Sequence, residues 1–328
     1  MRIKILKAGL LATMQDLGRW DYLSVAIPTS GAVDSLSARL ANLAVGNSEN
    51  SAVIEFTYAD AQFESLEDGV IAYSGEGAVL YAADQKLPSN CPVFIPQGKV
   101  IRLVNSDSGS RTYLAVAGGW KVDLILNSKS TYLPAGFGGL AGKALRNGDV
   151  LVSDETSPLN DQIILSLTGK GISFSSWRIF KRILQPLNKN KIRIIPGPEF
   201  TWFDGRSIMS LLTHAFSVGM KSNRMGIQIE GPTLNRYQKQ ELLSTAVCPG
   251  TIQVTSGGSL ILLLADCQTT GGYPRIAQVT AVDLPLCAQL KPGNRIEFEE
   301  ISLENAELLY IEQEKSIQQI KTAISSRF

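Results

Sequence analysis

The sequence predicts a mainly β protein, built on β-barrels in two domains with a few peripheral helices. Three observations carry this expectation. The chain has 328 residues, more than a single hydrophobic core usually serves. Short apolar runs recur between clusters of glycine, proline, asparagine and aspartate. Their spacing of about 8–12 residues suits a barrel or sandwich better than alternating βαβ units.

In chain order, the first well-specified element is a helix. Asp34 can cap its amino end, Leu36, Leu40 and Leu43 share one face at spacings of four and three, and Gly46 suits its carboxyl end. Strands are expected at residues 70–73, 79–81, 100–104 and 112–116. The composition then changes between residues 154 and 191, from Thr156-Ser157-Pro158 to the Asn/Lys-rich stretch after Pro186, as in a domain connection. The boundaries are therefore set at 1–155, a connecting segment 156–190, and 191–328. Residues 175–184 read as a second helix, with Trp177, Phe180 and Leu184 on one side and Arg178, Lys181 and Arg182 as a solvated face. Further strands are expected at 192–195 and 260–264. Leu303, Ala306, Leu309, Ile317, Ile320 and Ile324 mark a carboxyl-terminal helix. An internal echo, Ala144-Leu145-Arg146-Asn147-Gly148-Asp149 against Gln289-Leu290-Lys291-Pro292-Gly293-Asn294, points to two similar halves, each with a turn feeding a strand.

Composition excludes several function classes. Lysine plus arginine number 31 and aspartate plus glutamate 30, so no net field favours nucleic acid or an anionic membrane. The amino terminus interleaves charge with apolar residues, unlike a secretory signal, and the longest apolar run, residues 260–265, is far short of the roughly 20 residues a membrane span needs. A cytoplasmic protein with small-molecule or protein partners is expected. Cys91, Cys248, Cys267 and Cys287 match no metal-ligand spacing and are expected to be buried thiols. The single histidine, His214, is assigned a structural role, which leaves a zinc site or a Ser-His-Asp triad without its imidazole.

Four clusters are too polar and too glycine-rich for core: Gln15-Asp16-Leu17-Gly18-Arg19; Ser30-Gly31-Ala32-Val33-Asp34; Ser222-Asn223-Arg224-Met225-Gly226, followed by Glu230-Gly231-Pro232; and Asp266-Cys267-Gln268-Thr269-Thr270-Gly271-Gly272-Tyr273-Pro274. With Ala41-Asn42-Leu43-Ala44-Val45-Gly46-Asn47 and Gly136-Phe137-Gly138-Gly139, they make the chain resemble the KipA family. That family is also called allophanate hydrolase subunit 2 or the biotin-dependent carboxyltransferase family. The resemblance runs from about residue 9 to about residue 300 and implies two cyclophilin-like β-barrel subdomains. It further implies a C subunit of an ATP-dependent 5-oxoprolinase, inactive alone, that converts 5-oxo-L-proline to L-glutamate with KipI-like and LamB/YcsF-like subunits. ATP then acts at the level of the whole assembly. Two alternatives follow from the same family: a carboxyltransferase component using biotin on urea-type substrates, and a non-catalytic antagonist of a KipI-like kinase inhibitor.

The enzymatic versions share a planar N–H beside a carbonyl, and a site for such a group needs an acceptor and donors. Asp16 or Asp34 is the candidate acceptor; Arg19, Arg224 or Gln268 are the candidate donors, and these five are the catalytic candidates. Gln15, Ser30, Gly31, Asn42, Met225, Gly226, Glu230, Thr269, Thr270, Gly272 and Tyr273 are the substrate-binding candidates, and no metal site is expected. Each cluster also has a plainer reading: a turn closed by an Asp16–Arg19 pair, a helix cap at Asp34, an Arg224–Glu230 pair, a turn anchored by Tyr273, and a structural turn at residues 136–143. The chain departs from the family pattern at Asn223, which replaces an aspartate and cannot act as a base, at Lys129, which replaces an arginine, and around Ala59-Asp60-Ala61.

Overall fold

A computed structural model describes residues 1–186, 188–237 and 241–328. It divides into two compact units, the first comprising Met1–Arg19, Asp34–Leu184 and Ser316–Phe328, the second Trp20–Val33 and Gln185–Lys315. Residues 156–184, expected as a connection, thus belong to the first unit, and Leu187 lies outside the described residues.

The first unit contains β1 (Arg2–Lys7), β2 (Leu11–Gln15), β3 (Val53–Thr57), β4 (Ala61–Ser65), β5 (Gly69–Gly75), β6 (Ala78–Ala82), β7 (Gln85–Lys86), β8 (Val93–Ile95), β9 (Val100–Asn105), β10 (Arg111–Val116), β11 (Val150–Val152) and β12 (Ser173–Phe174). They form two six-stranded sheets, ordered β11-β1-β4-β9-β6-β7 and β12-β8-β5-β10-β3-β2. Alternation builds the core: Ile54, Phe56, Leu114 and Val116 join Ile3, Ile5, Phe63, Leu80 and Leu103 in one cluster. The intervening residues Glu55 and Tyr113 are paired across β3 and β10.

Helix α1 (Ser35–Ala44) packs on β5 and β10 and begins as expected, with the Asp34 carboxylate accepting from Ser37 N at 2.8 Å. Gly46 follows its end at φ 79°. Helix α2 (Pro158–Leu167), which the composition change concealed, is announced by Ser157 and Asn160 in a reciprocal capping arrangement with proline in its first turn. Asn160 Nδ2 reaches Val45 O at 2.6 Å and so docks α2 on the end of α1.

Residues 175–184 do not form the expected helix. The backbone amides of Ser175 and Ile179 bond to Pro92 O and Asn90 O, beyond the short β12–β8 pairing, and only Lys181–Leu184 make a 3-10 turn. Lys181 is not solvated either: its side chain is 9% exposed, with Nζ 3.1 Å from Asp34 Oδ2 and 2.6 Å from Ser37 Oγ. The cap of α1 therefore needs a cation, and this overrides the periodicity of the segment.

The second unit closes β13 (Lys191–Pro196), β14 (Phe216–Val218), β15 (Gly226–Glu230), β17 (Thr251–Val254), β18 (Leu260–Leu263), β20 (Arg275–Val279) and β21 (Arg295–Glu300) into a barrel, ordered β13-β20-β17-β18-β15-β14-β21. A parallel β13–β21 ladder completes the circle. A separate two-stranded ribbon pairs β16 (Thr245–Ala246) with β19 (Thr270–Gly271). Ile227, Ile229, Ile252, Val254, Leu260 and Leu262 fill the barrel, which turns Gln228, Gln253, Ile261 and Leu263 to its outer wall. Helices α3 (Gly205–Thr213), α4 (Leu284–Gln289) and α5 (Leu303–Ser325) follow, and α5 belongs to the second unit up to Lys315 and to the first from Ser316.

Two expectations gain structural content. The mainly β, two-barrel reading with few helices holds. The internal echo is one turn used twice: Arg146 N bonds Asp149 Oδ2 at 2.7 Å and Lys291 N bonds Asn294 Oδ1 at 2.8 Å, with Gly148 and Gly293 at φ 93° and 84°. The thiol expectation is corrected at one position: Cys91, Cys267 and Cys287 are buried, but Cys248, beside a turn, is exposed.

Candidate functional site

A pocket of about 360 Å³ lies on the outer wall of the seven-stranded barrel. Its wall comes from β15, β17 and β18 through Gly226, Gln228, Gln253, Ile261 and Leu263, with Thr255 and Ser259 at the β17–β18 turn. Lys221, Asn223 and Met225 enter from the β14–β15 connection, Gln268 and Tyr273 from the loop before β20. Leu263 and Gln253 are buried in the floor; Lys221, Asn223, Met225 and Tyr273 are exposed at the mouth.

Each contributing loop is held by its own bonds. Asn223 Oδ1 accepts from Met225 N at 2.7 Å and Gly226 N at 3.3 Å, an Asx turn in which asparagine serves as well as the family's aspartate. The residue itself lines the pocket. Between these residues Arg224 turns inward, 6% exposed, where Nε meets Asp266 Oδ2 at 2.8 Å and Nη2 meets Gly31 O at 2.7 Å. Ser30 Oγ donates to Asp266 Oδ1 at 2.7 Å, and Ser30 N to Ala265 O. The partner of Arg224 is therefore Asp266, not Glu230, which is exposed at the far end of β15. One buried ion pair ties together the loops at residues 30–31, 224 and 264–268, the last of which carries Gln268.

The Gln268 loop is fixed at its other end by Arg275 and Glu199. Arg275 Nη2 and Nε meet the two Glu199 oxygens at 2.8 and 2.9 Å, and its Nη1 reaches Ala246 O in β16. Burial works against ionised Glu199, but the hydrogen bonds and charge of Arg275 outweigh it and hold the carboxyl below its usual range. Gln253 Nε2 donates to Tyr273 O at 3.2 Å, and a Cβ on Gly271 would sit 2.6 Å from that nitrogen, so this close approach needs glycine. Beside Gln268, burial pushes the Cys267 thiol up to about 12, which keeps it protonated and inert at neutral pH.

The first unit organises its own clusters. The Asp16 carboxylate accepts from Gly18 N (2.8 Å), Ser128 Oγ (2.7 Å), Lys129 N (2.6 Å) and Ser130 Oγ (2.5 Å). Lys129 serves Asp16 through its backbone, and its Nζ turns to Asp154 at 3.2 Å, so the loss of an arginine fork there leaves this cradle intact. Arg19, 1% exposed, donates to Ser130 O and lies 4.9 Å over the Phe137 ring. The glycines around Phe137 make this possible: a Cβ on Gly138 would fall 2.0 Å from Ser130 O. Residues 136–143 are thus a packed structural turn. Gln15 Nε2 bonds Thr13 Oγ1 and Thr131 O.

Asp34 caps α1 and pairs with Lys181, while its backbone N–H donates to Tyr113 Oη, which in turn donates to Glu55 at 2.8 Å. Burial, then the Glu55 and Asp34 charges, raise the Tyr113 phenol well above its usual value and keep it a donor. Asn42 is buried and bonds Ser51 O at 2.7 Å while accepting from Asn47, which ties down the turn after α1.

Residues 25–300 match the carboxyltransferase domain, subdomains A and B. The chain belongs to the carboxyltransferase domain family. This carboxyltransferase-family chain is 35% identical over 318 residues to the C subunit of 5-oxoprolinase from Escherichia coli (strain K12), with 97% of each covered. Among solved structures it is similar to the K. lactis urea amidolyase at a TM-score of 0.86 and 28% identity, over 97% of this chain and 20% of that one. It is likewise similar to TTHA0988, at 0.76 and 31% over 91% of this chain, and spans 55% of that chain.

Of the sequence-derived candidates, Met225, Gly226, Gln268 and Tyr273 line the pocket, and Ser30, Gly31 and Arg224 form the knot that holds its loops. Thr269, Thr270 and Gly272 lie on the same loop, where Thr269 O and Thr270 pair with residues 246–247. Gln15, Asp16, Arg19, Asp34 and Asn42 belong to the first unit. Sequence reasoning passed over Lys221, Gln228, Gln253, Thr255 and Ser259. The signal for two of them was present: Gln228 and Gln253 are amides alternating with isoleucine or valine in strands.

Proposed function

We propose that this chain is the C subunit of an ATP-dependent 5-oxoprolinase, which opens 5-oxo-L-proline to L-glutamate together with KipI-like and LamB/YcsF-like subunits in the cytoplasm. The observation that carries this reading is the pocket's lining of side-chain amides, Asn223, Gln228, Gln253 and Gln268, around an apolar wall. Such amides offer both donors and acceptors, which is what the N–H and C=O of a small cyclic amide require. The near full-length likeness to the E. coli 5-oxoprolinase chain points the same way.

The pocket does not fit a triphosphate. Its lining carries one cation, and the glycine-rich turn at residues 136–143 is closed by its own backbone, with a Cβ on Gly142 falling 1.9 Å from Gly136 O. ATP is assigned to the assembly as a whole and not to this pocket, and this chain to holding and orienting the amide. Dependence on partners follows from that division of labour. Arg224 acts as a positioning residue through Asp266, and Asp16 as the clasp of the 15–19 loop; Gln268 is the best-placed candidate to touch the ligand. Biotin enters only under a carboxyltransferase reading, which the fold likeness to urea amidolyase favours and whose ureido ring presents the same N–H and C=O.

The test is ATP-dependent glutamate release from 5-oxoproline by the three subunits mixed, with each omitted in turn. Release only from the full set is expected. A well-formed complex that releases no glutamate overturns the reading, and a biotinylated protein copurifying on a streptavidin blot would put the carboxyltransferase reading in its place.

A further inference from the structure

The lining of the barrel pocket has an order from floor to mouth. Buried Leu263 and Gln253 lie at the bottom with Ile261 beside them, and Asn223, Met225, Tyr273 and Lys221 surround the opening. Lys221 is the one formally charged residue among the described lining residues, and no carboxylate accompanies it. Its loop is held by hydrogen bonds on both sides of it: Gly219 N donates to Gln228 O at 2.7 Å, Ser222 Oγ donates to Gly219 O at 2.8 Å, and the Asn223 turn closes the loop onto β15. A ligand that matches this lining has a flat neutral amide at one end, for the floor, and a single negative charge at the other, for the rim. A neutral urea leaves the lysine with water, and a polyphosphate brings more charge than one lysine balances.

We propose that Lys221 is the specificity-determining residue of this pocket and binds the carboxylate of a small cyclic amide acid. The proposal rests on the pocket being the substrate site of the preceding reading. An ammonium–carboxylate contact at a partly hydrated rim selects between substrates without touching the bond that breaks. Its loss therefore raises KM and leaves kcat in place. The neutral carboxamide analogue, 5-oxoprolinamide, has the same size and ring but lacks the charge.

The experiment uses the full assembly of all three proteins with wild-type, Lys221→Met and Lys221→Arg chains, and compares KM and kcat for 5-oxoproline. Lys221→Met is expected to raise KM roughly tenfold to a hundredfold, the worth of a hydrogen bond to a charged group, with kcat within about twofold. Lys221→Arg restores most of the affinity, and wild-type KM rises with added salt because the contact is at the rim. Unchanged KM in Lys221→Met, in an assembly that turns over normally, overturns the proposal and leaves the oxoprolinase reading standing. Should the wild-type assembly release no glutamate, ligand-observed NMR on the full-length chain decides separately: preference for 5-oxoproline over 5-oxoprolinamide that disappears in Lys221→Met supports the carboxylate site, and equal binding of the two sinks it. Lys221 is exposed, so both variants should fold, and their melting temperatures check that they do.

Discussion

At the scale of single residues, this chain spends buried charge on holding loops. Arg224 and Asp266 are 6% and 3% exposed, and each is hydrogen-bonded on more than one side. Removing either leaves the other charge uncompensated, which is why such pairs are costly to break even where they add little net stability. Glu199 and Arg275 do the same for the far end of the Gln268 loop, and here the sign of the pH effect is defined. The folded-state pKa of Glu199 lies below its usual value, so its contribution to stability is complete above the unfolded value of roughly 4.3 and is lost as pH falls through the folded one. Unfolding free energy measured by urea denaturation should fall on acidification below about pH 4.3, and Glu199→Gln should flatten that slope while lowering stability at pH 7. An identical pH slope in the variant would remove Glu199 from the account.

At the scale of elements, α1 shows how one cap draws in distant parts of the chain. Asp34 satisfies the first turn through Ser37, and its second oxygen takes the ammonium of Lys181, 147 residues away. Asp34→Ala should cost more than the roughly 1 kcal/mol of an ordinary cap, about 3–5 kcal/mol, because it also strands a buried cation. Adding Lys181→Met should recover part of that loss. The double-mutant cycle, read from denaturation midpoints, is therefore expected to be strongly non-additive, and simple additivity would mean that the pair is not coupled. The paired turns at Gly148 and Gly293 belong to the same scale: each feeds the strand next to it, β11 or β21, with the same bond from a backbone N–H to a side-chain oxygen three residues on.

At the scale of the whole molecule, the carboxyl-terminal residues close the first unit rather than extend the second. Within Ser316–Phe328, Ile317 and Ile324 are buried, and Lys321 Nζ lies 3.7 Å from Glu49. Burial of each isoleucine is worth about 1.5–3 kcal/mol, so deleting residues 316–328 should destabilise the first unit by about 3 kcal/mol or more. Hydrogen exchange checks this: amides of β3, β5 and β10 should exchange faster in the truncated chain, and those of β17 and β18 should keep their protection. Equal loss in both sets would contradict the division. Among the described residues no helix is long and apolar enough to cross a membrane.

Read alone, the sequence determined what depends on near neighbours: short apolar runs bounded by turn residues placed β5, β6, β9, β10, β13 and β18, the Asp34–Gly46 signals placed α1, and two of the clusters of glycine and polar residues marked loops that line the pocket. Tertiary structure alone decided the partners. It gave Arg224 to Asp266 instead of Glu230, took Lys181 out of an expected solvated helix face and buried it under α1, and gathered Lys221, Gln228, Gln253 and Gln268 from separate stretches around one pocket. The physical reason is range. Propensity, capping and periodicity act over a few residues, whereas strand register and burial fix which distant charges must neutralise each other and which outward-facing amides share a pocket.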